Sequence, residues 1–228
     1  MSDIKLYNDD CLKVMDELIE QGIKVDAIIT DPPYGMSFQS GQRKEKYKKI
    51  ENDDNLDWLD DFVDKSFKLL KDNTHAYFFC SHHNVDVFKQ SLQKKFNVKD
   101  ILIWEKNGFG SGDLLGDYAP KYEMIFYCHK GRRLLNGNRD ENVLHFDRTG
   151  NKNHPTEKPV YLLSYLVKKS TSENELVLDP FMGSGSTGVA CRQTSRNFIG
   201  IELDKNYYEI ANKRIYGEMQ LNLFEKGE

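Results

Sequence analysis

Two short runs of residues carry chemistry that the rest of the chain must position. The first is Asp31-Pro32-Pro33-Tyr34, directly after the apolar run Val25–Thr30. An acid, two prolines and an aromatic in this order can grip an amino group on a flat ring. Such a nitrogen is a poor nucleophile, because its lone pair is delocalised into the ring. The Asp31 carboxylate can accept one N–H. The Pro32 carbonyl, held by two fixed proline φ angles, can accept the other. That grip favours a pyramidal nitrogen whose lone pair is free to attack. Tyr34 can stack on the ring, a contact worth about 1–3 kcal/mol for a nucleobase. A rigid turn after a strand is the plainer use of the same four residues.

The second run, Asp179-Pro180-Phe181-Met182-Gly183-Ser184-Gly185-Ser186-Thr187-Gly188, follows Leu176–Leu178. Gly183 and Gly185 let the backbone turn tightly and come close to a ligand. Gly183, Gly185 and Gly188 fit Gly-x-Gly-x-x-Gly, and Glu202 stands about where dinucleotide folds place an acid on ribose hydroxyls. This spacing suits a nucleotide-like cofactor and leaves NAD open.

The elements that present these runs follow from periodicity. Short apolar strands are expected at Ile4–Tyr7, Val25–Thr30, His75–Cys80, Val98–Glu105, Tyr122–His129, Leu176–Leu178 and Phe198–Ile201. Helical spacing is expected over Cys11–Gln21, Trp58–Leu70, Asn84–Lys95, Val160–Lys169, Ser186–Gln193 and Asn206–Ile215, with Asn84 as an N-cap. Strands alternating with helices predict a doubly wound α/β fold. Its sheet would be mostly parallel and seven-stranded, Rossmann-like, with the Asn97–His129 hairpin antiparallel at one edge. Both chemical runs then sit at strand carboxyl ends, where such sheets bind ligands.

At 228 residues the chain suits a single domain. Residues 131–153 read as a short insertion and 217–228 as a free tail. No apolar run is long enough to span a membrane, and the N-terminus lacks a signal peptide's apolar core, so a cytoplasmic protein is expected. Cys11, Cys80, Cys128 and Cys191 are far apart, and the histidines show no ligand spacing, so no metal is expected. The net charge is −4, but its distribution is uneven. Residues 42–49 carry five bases (Arg43, Lys44, Lys46, Lys48, Lys49) and one acid, whereas residues 51–64 carry seven acids and no base. Arg132, Arg133 and Arg139 form a second basic stretch. A polyanion on one surface fits this pattern, as do ordinary solvated loops.

Together Asp31–Tyr34 and Asp179–Gly188, in that order, resemble the beta class of DNA amino-methyltransferases, over nearly the whole chain. The resemblance implies methyl transfer from S-adenosylmethionine to an exocyclic base nitrogen, with the base flipped out of double-stranded DNA. In that family Asp-Pro-Pro-Tyr goes more often with adenine N6, and Ser-Pro-Pro-Tyr with cytosine N4. Adenine N6 is therefore the expected target, and cytosine N4 the alternative. An NAD-type oxidoreductase, a non-catalytic DNA-binding module, and RNA or protein amides as substrate are more remote.

By the same resemblance Asp31, Pro32, Pro33 and Tyr34 are catalytic. Asp10 and Cys11 read the cofactor adenine. Asp31, Asp179, Phe181, Gly183, Ser184 and Gly185 line the cofactor, and Glu202 takes its ribose. His154–Pro159 resembles the segment before the family's cofactor strand, which puts Thr156 and Lys158 near the methionine carboxylate. Residues 131–153 correspond to the base-recognition segment, and Asn107 to a residue facing DNA. A homodimer is compatible with one short recognition segment, and a cognate restriction enzyme is a partner the resemblance allows. Gln220-Leu221-Asn222-Leu223-Phe224 is similar to the peptide by which bacterial proteins dock on the replication sliding clamp. Gln220, Leu221, Leu223 and Phe224 would be its anchors; packing on the protein's own core is the alternative.

Overall fold

The structure is a computed structural model that describes residues 2–34, 56–108, 115–116, 118–150 and 157–224, the last seven by backbone alone. The chain runs β1 (Ile4–Tyr7), α1 (Cys11–Glu20), β2 (Val25–Thr30), α2 (Leu59–Leu69), β3 (Leu70–Cys80), α3 (Val85–Gln93), β4 (Asn97–Glu105), β5 (Tyr122–Lys130), β6 (Val143–His145), α4 (Val160–Ser170), β7 (Leu176–Asp179), α5 (Ser186–Gln193), β8 (Asn197–Ile201) and α6 (Lys205–Phe224). One sheet takes all eight strands in the order β1-β8-β7-β2-β3-β5-β4-β6.

The five strands from β1 to β3 pair in parallel. β5 is antiparallel to both β3 and β4. β6 then pairs in parallel with β4 and forms the edge. The expected count of seven strands thus becomes eight, and the hairpin lies inside the edge rather than on it. The extra strand, Val143-Leu144-His145, comes from the polar stretch read as an insertion. Three residues are too few to show alternation, and only Leu144 is buried.

Parallel strands need a helix on each face to bury them. β2 shows this most simply, with all six residues buried. Its side chains alternate between faces. Ile28 packs with Phe78 under α1, α2 and α3, and Ala27 and Ile29 pack with Tyr77 and Phe79 under α4, α5 and α6. The crossover from β2 runs toward β3 and the one from β7 toward β8. The order therefore reverses between β2 and β7, and both chemical runs begin at the carboxyl ends of those two strands. Among the described residues no helix is long and apolar enough to cross a membrane.

Candidate active site

The carboxyl edge of the sheet brings the site residues into a row. Reading across β1, β8, β7, β2, β3, β5 and β4, the chain places Asp10-Cys11, Glu202, Asp179–Gly185, Asp31–Tyr34, Cys80, Glu123 and Lys106 in succession.

On the β1 side Asp10 caps α1. Its carboxylate accepts the backbone N–H of Leu12 at 2.9 Å and of Lys13 at 3.1 Å, so one oxygen is spent on the helix. The Cys11 thiol is pushed up to about 12 by burial and stays protonated. Glu202 reaches the same corner, because its N–H bonds the Tyr7 carbonyl. Its carboxylate accepts Gly183 N–H at 2.9 Å and Asp204 N–H at 2.8 Å. Each oxygen keeps a further lone pair for a hydroxyl. Burial raises this carboxyl to about 7.

Asp179 works beneath the turn. It accepts hydroxyl hydrogens from Thr30 at 2.7 Å and Thr187 at 2.6 Å, and the Phe181 N–H at 3.1 Å. These bonds tie the start of the turn to β2 and to α5; burial lifts the carboxyl to about 6. Phe181 packs against Trp58 and Phe62, at ring separations of 5.5 and 5.3 Å. Gly183 and Gly185 both have positive φ, 51° and 82°. Gly185 and Gly188 have a second reason to be glycine: their missing Cβ atoms would lie 2.8 Å from Ala211 Cβ and 2.3 Å from Ile215 Cδ1. Arg214, on the same helix α6, donates to the Ser184 carbonyl at 2.7 Å and to its hydroxyl at 2.8 Å. It also pairs with Glu157 at 2.8 Å.

On the other side of the switch point, Asp31 accepts the Tyr34 hydroxyl on one oxygen and the Lys158 ammonium on the other. Lys158 lies 3.2 Å from Glu123, and Lys106 donates to Glu123 at 2.7 Å. Burial pushes the Asp31 carboxyl above the usual carboxylate range, with Lys158 opposing it. Burial also works against charge on Glu123 and Lys158, but their partners outweigh it. Glu123 therefore sits low, held by Lys158 and Lys106, and Lys158 sits high, held by Asp31 and Glu123. Asn84 makes no cap bond to α3. It donates instead to the Tyr34 carbonyl, which explains why the expected N-cap is absent.

Of the residues the sequence analysis assigned to DNA, Asn107 lies at this carboxyl end, where it accepts the Arg148 N–H at 3.1 Å. Arg132, Arg133 and Arg139 lie at the opposite end. Arg133 forms a double hydrogen bond with Glu175, just before β7, at 3.1 and 2.8 Å. Arg132 N–H bonds Asn73, and Arg139 is flanked by Asn138 and Asp140, both held by Lys169 at the end of α4. β3 and β5 pair from Thr74–Lys130 to Cys80–Met124, so the two ends are about 20 Å apart at the usual strand rise. Arg43, Lys44, Lys46, Lys48, Lys49 and Thr156 lie outside the described residues. The Gln220–Phe224 backbone belongs to α6 and continues that helix; its side chains are also outside.

Trp58, Lys106, Glu123, Arg148 and Arg214 join the site without having been expected there. None belongs to a local motif, and each arrives through tertiary placement. An acid on an otherwise apolar strand, Glu123 within Tyr122–His129, was the one signal present.

The sequence matches the family described as DNA methylase over residues 25–213. The Escherichia coli (strain K12) protein YubD is 34% identical over 212 residues, which cover 92% of this chain and 89% of that one. The type II methyltransferase M2.MboI of Moraxella bovis is 28% identical over 240 residues, 92% of this chain and 87% of that one. Among solved structures, M1.HpyAVI in complex with SAM superposes with a TM-score of 0.74 at 30% identity, covering 93% of this chain and 99% of that one. The residues at the β1, β8 and β7 ends suit such a group: a half-buried carboxylate with lone pairs for a diol, an aromatic wall, and a glycine turn. The fold, the switch-point site and these matches lead to one conclusion: the chain belongs to the N6/N4 family of S-adenosylmethionine-dependent DNA methylases.

Proposed function

We propose that this enzyme methylates N6 of a flipped-out adenine in double-stranded DNA, acting in the cytoplasm. The observation that carries the reading is Asp31. It is a carboxylate at the switch point, fixed by Tyr34 and Lys158 and one strand away from the glycine turn. When bound, S-adenosylmethionine supplies a methyl carbon on a positively charged sulfur, which departs as a neutral thioether with the S–C bonding pair. Asp31 accepts one N–H of the target amino group, and the Pro32 carbonyl accepts the other. The nitrogen lone pair is thereby turned out of conjugation toward the carbon. After the N–C bond forms, one of the two N–H protons passes to Asp31 and on to solvent. Catalysis then rests on orientation and a preorganised polar site. Tyr34, packed edge-on against Phe88 at 6.3 Å, offers a face to the extruded ring.

The cofactor would lie along the β1–β8–β7 ends. Glu202 would take its ribose hydroxyls, Asp10 and Cys11 its adenine, and Phe181 to Gly185 its length. The DNA would lie over the carboxyl end, near Asn107, Lys121 and Arg148. The test is to incubate the protein with isotope-labelled S-adenosylmethionine and unmethylated DNA of mixed sequence, digest the DNA and analyse the nucleosides by mass spectrometry. Label in N6-methyladenine supports the reading; label in N4-methylcytosine overturns the choice of base while keeping the chemistry. A homodimer, a restriction partner and clamp docking through Gln220, Leu221, Leu223 and Phe224 belong to the same proposal. Retention on purified clamp and sedimentation with DNA test two of them.

A further inference from the structure

Asp31, Lys158, Glu123 and Lys106 form a chain of alternating charge drawn from four elements. Asp31 follows β2, Lys158 precedes α4, Glu123 lies on β5 and Lys106 follows β4. The chain is largely withdrawn from solvent, with side-chain exposures of 19% for Asp31, 7% for Lys158, 25% for Glu123 and 17% for Lys106. Its links are unequal. Glu123 Oε1 holds Lys106 at 2.7 Å. Glu123 Oε2 is buried and makes no hydrogen bond among the described residues, although Lys158 Nζ stands 3.2 Å away. That ammonium instead bonds Asp31 Oδ2. A buried carboxylate oxygen without a hydrogen bond costs free energy unless a donor arrives at some stage.

Resting on the reading of Asp31 as the amino acceptor, the consequence concerns how that acceptor becomes available. Lys158 and Tyr34 each take one lone pair of an Asp31 oxygen, so an incoming amino group shares the carboxylate with an ammonium that weakens it as an acceptor. Releasing a buried ammonium with no other partner would be costly. Glu123 Oε2, at 3.2 Å, is a carboxylate oxygen already within its reach. We propose that Glu123 is a positioning residue that receives Lys158 as the target amino group takes Asp31 Oδ2. The shift needs only a change in the Lys158 side chain, because Nζ already lies between the two carboxylates. The total charge of the four groups is unchanged, so no ion is left uncompensated.

The test is a double-substitution cycle on the full chain, using the DNA and methylated base that the nucleoside analysis identifies. Single-turnover methyl transfer at saturating cofactor is measured beside cofactor affinity. Glu123→Gln should slow transfer at least tenfold and leave cofactor affinity within about twofold. Lys158→Gln in that background should cost nothing more and recover part of the loss, because the ammonium that weakens Asp31 as an acceptor has gone. Wild-type rates in Glu123→Gln, or losses that multiply in the double variant, would overturn the proposal. A parallel loss of cofactor affinity in Glu123→Gln alone would overturn it too. Should Glu123→Gln fail to fold, Glu123→Asp, which keeps the charge but withdraws it, should still slow transfer; an unchanged rate would count against the proposal. If the wild type labels no amino nitrogen, the parent reading has failed, and that result is distinct from all of these.

Discussion

Glu202 and Asp31 are both carboxylates at strand ends, yet their surroundings differ. Glu202 accepts two backbone N–H groups and is still raised to about 7, because burial outweighs those bonds. A ribose diol needs the ionised form as acceptor. Cofactor affinity should therefore strengthen as pH rises from 6 to 8 and be flatter in Glu202→Gln, as read by calorimetric titration. For folding the sign is opposite. The raised carboxyl favours the native state below its unfolded value, and that contribution is lost as pH rises through about 7. Asp31 and Glu202 were both legible in the sequence, because each ends an apolar run. The partners that set Asp31's chemistry were not. Glu123 and Lys106 come from distant strands, and local spacing carries no trace of that meeting.

At the scale of elements, the turn between β7 and α5 depends on α6. Gly188 leaves room for Ile215 and Phe198, whose Cδ1 and Cε1 atoms would lie 2.3 and 2.8 Å from an added Cβ. Gly188→Ala should lower stability by about 1–3 kcal/mol through overpacking. It should also weaken cofactor binding, because pushing α6 away draws Arg214 off Ser184. Thermal melting with and without cofactor checks both. The Gly-x-Gly-x-x-Gly spacing was visible, but two of its three glycines also have a packing reason that only the fold reveals. The parallel half of the sheet was legible, since its strands are short, mostly apolar runs alternating with helical spacing. The β6 edge was not, because a three-residue strand with one buried side chain carries no periodicity.

For the whole molecule, the distribution of charge between the two ends of the sheet sets where DNA should lie. Arg133 is committed to Glu175 at the far end, whereas exposed Arg148 stands beside Asn107 at the Asp31 end. Arg148→Ala should lower the slope of log affinity against log salt by about one, as one phosphate contact is lost. Arg132→Ala with Arg133→Ala should leave that slope unchanged. Fluorescence anisotropy over a salt series distinguishes the two. Composition alone suggested two basic stretches, and only the strand order shows that one of them faces away from Asp31.

The division of the carboxyl edge into a cofactor half and an amino-acceptor half is tested most directly on Asp31→Ala, by measuring cofactor affinity and single-turnover methyl transfer on the same preparation. Affinity should stay within about twofold of wild type while transfer falls by about 10²–10³-fold, the scale of losing one preorganised polar group. If affinity and transfer fell together, Asp31 would belong to the cofactor half, and the division would be contradicted.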